Sequence, residues 1–113
     1  MTVYATQRIP LRPDLAHQAV NVTLDGRGYR LEVDWIGRIQ RWTFSLYTSG
    51  GAPVLLTKGL VLGADLLQRT RYKPECPQGL LILRDLQRLD SEAELDTLGV
   101  RHVLSYVPLS EVV

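Results

Sequence analysis

Between Val20 and Tyr47 apolar side chains recur at every second position in three successive runs. Val20, Val22 and Leu24 form the first, Tyr29, Leu31, Val33 and Trp35 the second, and Trp42, Phe44 and Leu46 the third. The residues between them are polar: Asn21 and Thr23, then Arg30, Glu32 and Asp34, then Thr43, Ser45 and Tyr47. Alternate side chains of an extended strand project to opposite faces, so each run has one oily and one wet face. Runs this close in sequence can pair only antiparallel, because a parallel pair needs a long crossover. The pattern predicts a three-stranded meander.

The connections agree with it. Asp25-Gly26 supplies the residue pair that tolerates the positive φ angles of a tight hairpin. Closing it at Leu24 and Arg27 sets Val22 opposite Tyr29 and Val20 opposite Leu31. Closing it at Leu24 and Tyr29 sets Val22 opposite Leu31. Both registers keep the apolar set on one face. In the second hairpin, Ile36 paired with Arg41 around Gly37-Arg38-Ile39-Gln40 places Trp35 against Trp42, Val33 against Phe44 and Leu31 against Leu46. A slip of one residue would turn half of these large groups to solvent. The two indoles are expected to close one end of a core, and truncating either to Ala should cost about 3–5 kcal/mol if both are buried.

The rest of the chain is less regular. Thr48–Pro53 has turn composition, and Val54–Leu67 contains two short apolar segments. Asp65 can cap one helical turn, but a turn leading into a strand over Leu66–Tyr72 is the favoured reading. Lys73–Gly79 holds two prolines and reads as loop. Leu80 opens a short strand, Ser91 and Glu94 fit a capping box, and Val100–Val107 is a closing strand. The expected fold is all-β and mostly antiparallel, a small barrel or sandwich with at most one or two short helical turns. At 113 residues it is expected to form a single domain, residues 1–113, with its folded core over about 9–107.

Functional groups are sparse. The histidines, His17 and His102, have no acidic neighbour in sequence that makes a site of them, and Cys76 has no second thiol to pair with. Glu32 and Asp34 share a strand face, a geometry that carboxylate catalysis can use, yet Arg30 lies on the same face and a solvated surface accounts for all three. Gly59–Gly63 lacks the Gly-Lys-Ser/Thr ending of a phosphate loop. No cofactor or metal motif is present, so none is expected. With 13 basic and 12 acidic residues the net charge is +1, which argues against a nucleic-acid surface. Neither a secretory leader nor an apolar run of membrane-spanning length is recognisable.

Candidate partner contacts are Ile36 and Ile39, oddly apolar for a hairpin tip, the adjacent Arg38, Tyr47, and the alternating basic residues Arg69, Arg71 and Lys73. If Leu66–Tyr72 is a strand, those three cations form a stripe on one face. An alternative function follows from that stripe: a small β-barrel gripping single-stranded nucleic acid through the cations and Tyr47. An enzyme built on Glu32 and Asp34 is a third reading, for which no substrate suggests itself.

The order of segments also carries a resemblance. "IPL" at Ile9–Leu11 precedes "VTLDGRGYRLEVDW" at Val22–Trp35 and "RWTFSLY" at Arg41–Tyr47; "LVLGADLL", "GLLIL" and "LGVRHVLSY" follow, ending at Tyr106. This resembles the small baseplate plug proteins of contractile-tailed phages, with Ile36 standing where that pattern has Asn. The resemblance implies a non-enzymatic virion protein, assembled in the host cytoplasm and seated on the tail axis. Its partners would be hub, spike, tube or tape-measure components, with self-association in the assembly also open. It would help to close the tail tube.

Overall fold

The computed structural model describes residues 7–87 and 92–108. Seven strands follow in order: β1 (Gln7–Arg8), β2 (His17–Leu24), β3 (Arg27–Ile36), β4 (Arg41–Thr48), β5 (Pro53–Gly59), β6 (Leu80–Asp85) and β7 (His102–Val107). They form two antiparallel sheets, a four-stranded one in the order β2-β3-β4-β5 and a three-stranded one in the order β1-β7-β6. The sheets do not close into a barrel. They share one apolar core, so the architecture is an open sandwich.

The meander forms in the expected register. Leu24 pairs with Arg27, Val22 with Tyr29 and Val20 with Leu31, which selects the two-residue turn. Asp25 and Gly26 both adopt positive φ, 52° and 79°, as that turn requires. Across the second hairpin Ile36 pairs with Arg41, Trp35 with Trp42, Val33 with Phe44 and Leu31 with Leu46. Leu24, Leu31, Val33, Phe44 and Leu46 are inaccessible to solvent, as are Leu81, Leu83, Leu104 and Tyr106 from the smaller sheet.

Three expectations need correction. Leu66–Tyr72 is not a strand. Leu66 and Leu67 are consecutive yet both buried, which a strand with one solvated face cannot arrange. The chain instead runs along β6, where Gly63 and Leu66 donate backbone N–H groups to Leu83 and Leu81 (both 3.0 Å). It then descends through successive tight turns, with Thr70 bonded to Leu67, Lys73 to Thr70 and Cys76 to Lys73. The closing strand starts at His102 rather than Val100, because Val100, Arg101 and His102 all donate to the Thr97 carbonyl in a turn. The two indoles are also unequal: Trp42 is buried but Trp35 only half-buried. No helix occurs among the described residues, and Ser91 of the expected capping box lies outside them.

Candidate interaction surface

The β3–β4 hairpin is tied down almost to its turn. Its strands pair without a break from Tyr29–Thr48 to Ile36–Arg41, and its tip is tied by a bond from the Ile39 N–H to the Ile36 carbonyl (3.1 Å). Gln40 takes a left-handed φ of 54° and its side-chain amide donates to the Gly37 carbonyl (2.8 Å). Beneath the tip the Trp35 and Trp42 rings meet edge to face, centroids 5.4 Å apart. The Trp42 indole N–H donates to the Glu94 carbonyl (3.0 Å), fastening the hairpin to the segment before β7. These ties leave Ile39 56% exposed beside the exposed Arg38, while Ile36 is half-buried. A depression of about 390 Å³ lies next to them, lined by Trp35, Gln40, Glu94, Leu95 and Asp96.

The other sequence-derived candidates do not converge on this tip. Tyr47 is half-buried on β4, opposite Arg30 and Pro53. With no strand over Leu66–Tyr72, the three cations lose their common face. Arg71 donates to the Asp65 carboxylate (2.8 Å) and the Gly79 carbonyl (2.9 Å). Lys73 donates to the Val54 carbonyl at the rim of β5 (2.9 Å). Both are thus engaged with their own chain, and Arg69 alone of the three is exposed. The basic stripe that motivated a nucleic-acid reading does not form. Tyr72 is 80% exposed beside these turns.

Cross-strand pairing gives both histidines the carboxylates that their sequence neighbours lack. His17 stands opposite Asp34, with Nδ1 and Oδ1 2.5 Å apart and Nε2 3.8 Å from Glu32. Extending the Leu24–Arg27 register back along β2 would have found this pair. Both ring nitrogens face carboxylates, leaving neither directed at a substrate, and at an exposed position such an ion cluster contributes little stability. His102 is fully buried, with Nδ1 2.9 Å from the Thr97 hydroxyl and Nε2 3.9 Å from Asp85, which also takes a two-pronged bond from Arg101. Among the described residues no three His, Cys, Asp or Glu side chains converge as metal ligands. No helix long and apolar enough to cross a membrane occurs among the described residues.

A second polar cluster joins the two sheets. The Tyr106 hydroxyl donates to the Asp25 carboxylate and accepts from the Gly79 N–H (2.8 Å). Tyr29 donates to the Glu75 carbonyl (2.6 Å) and Arg27 to the Pro74 carbonyl (2.9 Å). Burial pushes both tyrosine hydroxyls above their ordinary pKa, and for Tyr106 the bond to Asp25 adds to the rise. Burial likewise raises the Cys76 thiol, which makes it a poor nucleophile. These groups fasten the 71–79 loop to the first hairpin.

A family model described as "Cyanophage baseplate Pam3 plug gp18" matches residues 6–109. No curated protein matches the chain.

Proposed function

The chain belongs to the cyanophage baseplate plug family, and from that premise we propose that it sits on the tail axis near the hub and spike and helps to close the tail tube until contraction. The match from residue 6 to residue 109 carries this reading, since it spans both sheets rather than one common hairpin. The protein acts through contacts with other baseplate proteins and performs no catalysis. Its β3–β4 tip suits such a role: Ile39 offers an apolar anchor, Arg38 a flanking charge, and the paired strands below hold both in place. A small apolar centre with a polar rim gives contacts that hold in the assembled tail yet can release when it fires. Ile36 lies at the margin of this tip, whereas Tyr47, Arg69, Arg71 and Lys73 lie apart from it and contribute, if to any partner, through separate contacts.

Cryo-imaging of virions carrying a tagged copy tests the placement. Label density on the axis at the baseplate is expected, and virions whose baseplate lacks the label refute it.

A further inference from the structure

We infer that a second copy of this chain pairs along the outer edge of β2, joining two four-stranded sheets into one antiparallel sheet across a two-fold axis.

Two sheets leave four edges, and three of them are closed or minimal. On β5 the outward Val54 carbonyl is taken by Lys73. That strand also begins with Pro53, shifts register twice against β4, and carries Thr57 in a left-handed conformation with φ 51°. The β6 edge is occupied by the backbone of Gly63 and Leu66. β1 is only two residues long. Proline, lysine, bulges and covering segments are the usual guards against unwanted strand addition.

β2 has none of them. It runs for eight residues, HQAVNVTL, without proline, glycine, lysine, arginine or a carboxylate, and its register with β3 is unbroken. The Trp35 N–H donates to the Ala16 carbonyl (2.7 Å), and a two-residue turn closes at Leu24 and Arg27. Both facts place the backbone groups of even-numbered residues on the β3 side. The N–H and C=O groups of His17, Ala19, Asn21 and Thr23 therefore point outward, and among the described residues no backbone bond reaches them.

The pattern on this edge matches itself. With Asn21 on the two-fold axis, Asn21 faces its own copy and Ala19 faces Thr23 of the second chain. These outward-bonding residues then exchange about six backbone hydrogen bonds. All three side chains are small and uncharged, so no like charges meet. On the inner face Val20, half-buried in one copy, meets Val22 of the other and extends the core. His17 comes opposite Asp25. A strand with a marked charge would gain nothing along Ala19, Asn21 and Thr23, whereas an uncharged alternating strand finds a match at each position.

Light scattering on the purified full chain over a concentration series tests the pairing without reference to the virion. The apparent mass should double as concentration rises, and the amides of Ala19, Asn21 and Thr23 should gain exchange protection with it. Asn21→Lys and Asn21→Asp each set like charges across the axis and should leave the chain monomeric; mixing the two variants should restore the doubled mass. Both changes are at an exposed position, so an unaltered urea midpoint for the monomer is expected. A wild-type chain that stays monomeric throughout overturns the proposal, whether or not another protein's strand pairs there. So does a dimer that neither Asn21 variant weakens.

Discussion

Removing one oxygen atom, by Tyr106→Phe, should test how the two sheets are held together. Tyr106 is fully buried, and its hydroxyl is the donor to Asp25 and the acceptor for the Gly79 N–H. The phenyl ring of the variant fills the same space, so no cavity is created and the loss is one of hydrogen bonds. A bond to a charged group contributes about 1.5–3 kcal/mol, and a buried donor left unsatisfied costs about 1–3 kcal/mol. Asp25 is exposed and regains water, which favours the low end of the first range. The two together come to about 3 kcal/mol, a large share of the roughly 5–15 kcal/mol typical of a domain. Urea unfolding followed by tryptophan fluorescence should show the midpoint falling by more than about 1 M, given slopes of about 1–3 kcal/mol per M. Tyr29→Phe, which removes a single neutral bond to the Glu75 carbonyl, is the control, with an expected loss of about 1 kcal/mol. Equal, small losses in the two variants would refute the reasoning, as would unchanged exchange protection of the Gly79 amide.

Four further outcomes follow from the same structure. Trp42→Ala should cost about 3–5 kcal/mol and Trp35→Ala clearly less, because only Trp42 is buried and bonded through its indole; equal losses by urea titration would contradict the asymmetry. Gly79→Ala should fail to give a soluble folded chain or unfold at much lower urea, since an added Cβ would lie 2.1 Å from the Val107 carbonyl oxygen and 2.7 Å from the Tyr106 ring. Tyr29 and Tyr106 have folded-state pKa values above the ordinary 10.0, so they stabilise the fold fully below about pH 10 and lose that contribution as pH rises through the folded values. Urea midpoints should therefore fall above about pH 10, less steeply in Tyr106→Phe. Ile39→Asp should leave the urea midpoint within about 0.5 kcal/mol of wild type while lowering incorporation into virions, read by blotting purified particles; full incorporation would remove the hairpin tip from the proposed contact.

The meander was legible because its information is local. A side-chain period of two, an Asp-Gly turn and two tryptophans at matching distances from the second turn leave one register that puts Leu31, Val33, Trp42, Phe44 and Leu46 in the core, with Trp35 at its edge. The segment from Gly59 to Gly79 was not legible in the same way. Its alternating Arg69, Arg71 and Lys73 imitate a strand face, but Leu66 and Leu67 must both enter the core and β6 already offers free carbonyls at Leu81 and Leu83. Tertiary bonding outweighed a local period. The candidate site divides along the same line. Ile36, Arg38 and Ile39 could be named from the hairpin alone, whereas the engagement of Arg71 with Asp65 and of Lys73 with Val54 depends on where a turn-rich loop comes to rest.

The amino-acid order by itself determined an all-β chain with an N-terminal meander of fixed register, since alternation and turn chemistry act over a few residues. Only the tertiary structure decided that two sheets stack open rather than close, that the buried His102 comes to lie beside Asp85, and that β2 keeps a bare edge. Each of those depends on groups far apart in sequence competing for the same hydrogen-bonding partners and the same buried space, and no local pattern records which of them wins.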